Sequence, residues 1–156
     1  MPLILYLLRH GEAAPAESGG DRMRPLTSKG EHRVRSLALA LAQRGWRLDR
    51  AFASPLLRAR ETARIVTTGA GIEVEIEELP ELEPEDEPAS VTDALTDLGA
   101  TSGHVLLVGH MPQMARLARL LAGIDHGFAP AEMLGIECAE PGSDATGRLL
   151  WRLDGG

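Results

Sequence analysis

Two apolar runs in this chain end in histidine. Leu3 to Leu8 is followed by Arg9-His10-Gly11, and Val105 to Val108 by Gly109-His110. Short apolar runs without alternation read as strands buried on both faces, the kind found at the centre of a parallel sheet. A guanidinium and two imidazoles are then delivered to the carboxyl ends of central strands, the rim where open α/β sheets bind ligands. A third block, SPLLRARETA from Ser54 to Ala63, places Arg58 near the start of a helix. Arg60, two residues on, must point to another side of that helix. Three readings follow. A neutral imidazole is a nucleophile, and guanidinium groups suit the spread charge of a transferring phosphoryl group, so phosphoryl transfer through a phosphohistidine is one. A metal centre is another, but no further ligand stands at a strand end with suitable spacing, and neighbouring arginines oppose a cation. The third is a pair of hydrogen-bonding core histidines. The flanking glycines and Arg9 favour the phosphate or anion site, without metal or cofactor.

These residues need elements to hold them. Gly11 is expected to let the backbone turn tightly and a ligand approach. The polar segment Ala13 to Leu26 reads as a loop carrying Asp21, Arg22 and Arg24, and Pro25 disfavours helix at Arg24. Thr27 or Ser28 can cap the next helix, with Glu31 in the capping-box position for Ser28. Val34, Leu37, Ala38, Leu41 and Ala42 recur at helical spacing, and Gly45 ends the run. Asp49 to Ala53 reads as a strand. Ser54 and Pro55 read as the N-cap and first turn of a helix reaching about Thr68. Ile72 to Ile76 alternates like an edge strand, and Glu77 to Pro88 reads as a solvated acidic loop. A helix over Ala89 to Leu98, a strand over His104 to Val108 and a helix over Gln113 to Leu121 follow. Met133 to Ala139 and Arg148 to Leu153 read as closing strands joined by a turn over Glu140 to Gly147. The alternation predicts an α/β fold: helices over a mostly parallel sheet with an antiparallel edge, in one domain spanning residues 1–156.

Composition narrows the function. A net charge of −7 argues against nucleic acid and anionic membrane surfaces as partners. Fifteen of the sixteen basic residues are arginine, the residue suited to bidentate phosphate recognition. The one cysteine, Cys138, excludes an internal disulfide and reads as a core thiol. No stretch has the length of a membrane span or the pattern of a signal peptide, so cytoplasmic residence is expected.

LRHGE, RPLTSKG, SPLLRARETA and VGHMP, in this order, resemble the histidine phosphatase superfamily. RPLTSKG and LPELEP resemble its SixA branch, the phosphohistidine phosphatases. The resemblance implies a three-layer α/β/α sandwich of the phosphoglycerate mutase-like fold. It implies that His10 attacks phosphorus, that Arg9, Arg58 and His110 bind the phosphoryl oxygens, and that Arg24 adds a substrate contact. Many superfamily members that cleave phosphate esters use a glutamate after the third strand as general acid; the SixA branch has no equivalent fixed acid. An imidazole leaving group is less basic than an alkoxide and needs such an acid less. Of the carboxylates from Glu77 to Glu87, Glu83 is the one to test first. Glu12 is expected to partner an arginine or to belong to the turn. His32 and His104 read as structural or exposed, and His126 as a loop residue that could border the pocket. The segment Gly69 to Pro88 is short, which suits an open pocket able to admit phosphohistidine on a partner protein, such as a histidine phosphotransfer protein, with inorganic phosphate as product. A small phosphate monoester is the alternative substrate, and a non-catalytic phosphoprotein-binding module the alternative function.

Overall fold

The computed structural model describes residues 2–17, 19–138 and 146–155. The chain runs β1 (Leu3–Arg9), α1 (Ser28–Gln43), β2 (Arg50–Ala53), α2 (Leu57–Gly69), β3 (Ile76–Glu78), α3 (Pro88–Asp97), β4 (Gly103–Gly109), α4 (Gln113–Ala122), β5 (Glu132–Cys138) and β6 (Arg148–Asp154). The strands form one sheet in the order β3-β2-β4-β1-β5-β6. The first four in that order are mutually parallel, while β5 runs antiparallel to both β1 and β6. β1 and β4, the two apolar runs, therefore lie side by side within the sheet.

Alternation along these strands divides the core into two faces. Leu3, Leu5 and Leu7 of β1, with Val105 and Leu107 of β4, pack beneath Val91 and Leu95 of α3 and Met114, Leu117 and Leu121 of α4. Tyr6 and Leu8, with Leu106 and Val108, pack against Val34, Leu37 and Leu41 of α1 and Ala59, Ala63 and Val66 of α2. The result is three layers, α/β/α, as the resemblance implies. Each fully buried leucine contributes about 2 kcal/mol of apolar transfer energy, so β1 is held from both sides. Cys138 lies in the first cluster as a free thiol, and burial pushes its pKa up to about 11.

Three local expectations are corrected. Thr27, not Ser28, caps α1: its Oγ1 accepts from Gly30 N–H at 2.9 Å, so no capping box with Glu31 forms. The strand expected over Ile72 to Ile76 begins only at Ile76. Ile72 N–H instead closes α2 by donating to Thr67 O, while Ile72 and Val74 pack against the α1–α2 side without joining the ladder. The acidic loop is not wholly solvated, because a 3-10 turn at Pro80–Leu82 buries Leu79 and Leu82. The turn expected over Glu140 to Gly147 falls largely outside the described residues, as does Ala139. Among the described residues no helix is long and apolar enough to cross a membrane.

Candidate active site

The register of β1 against β4 sets the site. Arg9 pairs with Gly109, and His10 N–H extends the ladder by donating to Gly109 O at 3.1 Å. The two histidines that follow stand side by side, their ring centroids 5.0 Å apart. Behind them α1 and α2 clamp the turn. Gly11 N–H donates to Thr62 Oγ1 at 3.1 Å, and that hydroxyl donates to Arg58 O at 2.7 Å. The missing Cβ of Gly11 faces α1: a Cβ there would meet Val34 Cγ2 at 3.0 Å and Gly30 O at 3.2 Å. On α1 a Cβ at Gly30 would run into Glu12 O. From the other side, Ala131 N–H is shared between Arg9 O and His10 O at 3.1 and 3.3 Å.

Hydrogen bonding assigns the protons. His10 Nδ1 lies 2.7 Å from Gly11 O, and a carbonyl only accepts, so Nδ1 carries the proton and Nε2 keeps its lone pair. Burial, then the Arg58, Arg9 and Arg24 charges, outweigh that hydrogen bond and hold the His10 pKa down at about 4. At neutral pH the ring is uncharged. His110 Nε2 sits 2.8 Å from Ser54 Oγ, which also receives Leu56 N–H at 3.3 Å. Where Ser54 donates to Nε2, the His110 proton resides on Nδ1, which is buried and has no partner. Burial, then the neighbouring His10 and Arg58, lower His110 to about 3.

The guanidinium groups surround this pair. Arg9 donates through Nη1 to Phe128 O at 2.7 Å, while its buried Nε has no acceptor. Burial lowers its pKa from the ordinary arginine value. Arg58 is buried, and its only carboxylate partner among the described residues is Asp21, through Nη2 at 3.3 Å; its Nη1 donates to Asp21 O at 2.9 Å. Arg24 reaches the same Asp21 carboxylate at 3.0 Å and is anchored by Nε to Ala14 O at 2.7 Å. The structure thus brings Arg9, His10, Arg58 and His110 together, with Arg24 at the rim. Arg60 turns away to Pro55 O and Glu78. Such an arrangement, unpaired donors and positive charge around one lone pair, can receive an oxyanion with a tetrahedral centre.

The profile of the histidine phosphatase superfamily (branch 1) matches residues 5–84. The chain belongs to this superfamily. It is 34% identical over 116 residues to phosphohistidine phosphatase SixA of Escherichia coli K12, covering 72% of this chain and 70% of that one. An uncharacterized protein of Picosynechococcus sp. is 36% identical over 130 residues, 76% of this chain and 72% of that one. A solved structure of the protein histidine phosphatase SixA complexed with tungstate superposes with a TM-score of 0.84 at 27% identity, covering 98% of this chain and 97% of that chain. The similarity therefore extends through β5 and β6, where sequence motifs are lacking.

Against this superfamily background the remaining side chains fall into place. Glu83 forms an exposed ion pair with Arg22, tying the 3-10 turn at Asp21–Met23 to the loop after β3. Glu12 is exposed and acts through its backbone, its carbonyl accepting Thr27 N–H. His126 contacts Glu132 Oε1 at 3.0 Å and packs edge-on against Phe128, whose carbonyl holds Arg9, so its loop does border the site. Among the described residues no three His, Cys, Asp or Glu side chains converge as metal ligands would. Sequence reasoning missed three contributors. Ser54 is turned into the site rather than capping α2, which starts at Leu57. Thr62 and Asp21 carried no signal beyond lying in motif blocks.

Proposed function

We propose that this chain is a phosphohistidine phosphatase that works through a phosphohistidine intermediate on His10. The observation that carries this reading is the His10 ring: Nδ1–H is engaged by Gly11 O, burial keeps the ring neutral, and Nε2 is left free. In the first step Nε2 attacks phosphorus as the bond to the leaving nitrogen breaks. A substrate imidazole protonated on its other nitrogen departs neutral, without a dedicated acid. Arg9, Arg58 and His110 Nδ1–H would take the non-bridging oxygens, whose charge grows in the transition state. Water then attacks phosphorus, the bond to Nε2 breaks, and inorganic phosphate leaves. Arg24 is assigned a further contact to phosphate or substrate.

A phosphohistidine carried by a partner protein is the substrate class favoured here. The likeness to SixA supports it, as do the short segments around the rim. Glu83, the carboxylate to test as a leaving-group acid, is held by Arg22, which favours a weakly basic leaving group over an alkoxide. Incubation with a phosphoramidate donor should place acid-labile, alkali-stable phosphate on His10, and phosphohistidine peptides should be hydrolysed faster than aryl phosphate monoesters. His10→Ala should abolish both. Near-normal turnover by His10→Ala would refute the nucleophile, and preference for monoesters would refute the substrate class.

A further inference from the structure

A second cluster lies at the opposite end of β4. His104 is the second residue of that strand, whereas His110 follows its last. A cleft of about 130 Å³ opens there, lined by Tyr6, Trp46, His104, Trp151, Arg44 and Arg47 among others. Three of the five aromatic residues of this aromatic-poor chain line it. Tyr6 holds them together, its ring centroid 5.5 Å from Trp46, 5.6 Å from Trp151 and 5.9 Å from His104. The Tyr6 hydroxyl and His104 Nδ1 are hydrogen-bonded at 2.6 Å.

The polar groups are of one kind. Trp46 is 9% exposed, and its indole Nε1–H is buried with no acceptor. An unmet buried donor of this kind is destabilising, so it calls for a partner. Arg44 stacks over Trp151 at 5.5 Å, and among the described residues neither Arg44 nor Arg47 is paired with a carboxylate. Asp49, which also acts on Tyr6, does not line the cleft and has its carboxylate on His104 N–H at 2.8 Å. The wall is therefore aromatic, the lining side chains offer donors, and no lining side chain is acidic. A cavity of ~150 Å³ takes one benzene ring, so the cleft is of single-ring size.

We propose that this cleft is a second ligand site, taking a small aromatic carboxylate whose ring lies against Tyr6 and Trp151 and whose carboxylate accepts from Trp46 Nε1–H and the two arginines. This rests on residues remote from the phosphoryl site and is independent of the function proposed above.

The test is titration of the full chain with benzoate, followed by calorimetry and by the indole ¹⁵N–¹H resonances, of which this chain has only two. Benzoate should bind saturably and shift one resonance downfield, the one missing in Trp46→Phe. Trp46→Phe keeps the ring but removes the donor, and should weaken binding about tenfold while leaving phosphatase turnover unchanged. Arg44→Gln with Arg47→Gln should weaken it comparably, and serves as the test if Trp46→Phe melts early. Acetate should bind at least about tenfold more weakly than benzoate, since it lacks the ring. The proposal is overturned by non-saturable shifts, by displacement of benzoate with tungstate, by acetate binding as tightly, or by unchanged affinity in folded variants.

Discussion

If burial and the surrounding guanidinium groups hold His10 neutral, its acid titration must lie far below that of a free histidine. The ring stands at about 4 against an ordinary 6.5. At pH 5 about 90% of the His10 rings would then be neutral, against about 3% for an unperturbed ring, roughly a 30-fold difference in available nucleophile. Imidazole ¹⁵N shifts, recorded from pH 7.5 to 3.5 and assigned by comparison with His10→Ala, read this directly and free of substrate ionisation. Above pH 5 the pattern should be that of an Nδ1–H tautomer with a bare Nε2. The same displacement has a stability consequence. The unfolded ring binds its proton below about pH 6.5 and the folded ring only below about 4, so the unfolded chain carries more protons between these values. The His10 contribution is complete above about pH 6.5 and falls by about 3 kcal/mol as pH drops to about 4, then levels off. A His10 midpoint at 6 or above, or an Nε2–H tautomer, would refute the reasoning.

Other outcomes follow from neighbouring contacts. Ser54→Ala removes the hydrogen-bond partner of His110 Nε2 and strands Leu56 N–H; turnover should fall about tenfold and stability by about 1–2 kcal/mol, checked by steady-state kinetics and urea unfolding. Gly30→Ala drives a methyl group into the Glu12 carbonyl, and should cost about 3 kcal/mol in the same unfolding assay; a loss under about 1 kcal/mol would mean that the α1 contact yields easily. Asp21→Asn withdraws the carboxylate that any incoming oxyanion must displace from Arg58. Because that carboxylate is exposed, the effect should be modest: about fivefold tighter competitive inhibition by inorganic phosphate. Weaker phosphate inhibition would instead mark Asp21 as the group that positions Arg58.

Much of the fold was legible along the chain because the core is written in short apolar runs and helical spacing. Leu3 to Leu8 and Val105 to Val108 are apolar or aromatic at every position, as strands covered on both faces must be, and that placed them in mid-sheet. Alternation was a poorer guide at Ile72 to Ile76. There every second residue is half-buried, but contact with the α1–α2 side produces that pattern as well as strand pairing does. Ser54 preceding Pro55 fitted a helix cap on local grounds. Its hydroxyl was diverted by His110, a residue 56 positions away.

By itself, then, the order of residues determined which strands run through the middle, which chemical groups stand at their ends, and that Arg58 and Arg60 part company. Those are consequences of periodicity and side-chain chemistry, which act over a few residues. Tertiary structure alone decided which nitrogen of His10 and of His110 lacks a partner, that Asp21 occupies Arg58, and that Gly11 packs against a helix. Each depends on a hydrogen bond, a charge or a steric contact between segments distant along the chain, and only the folded arrangement sets those distances.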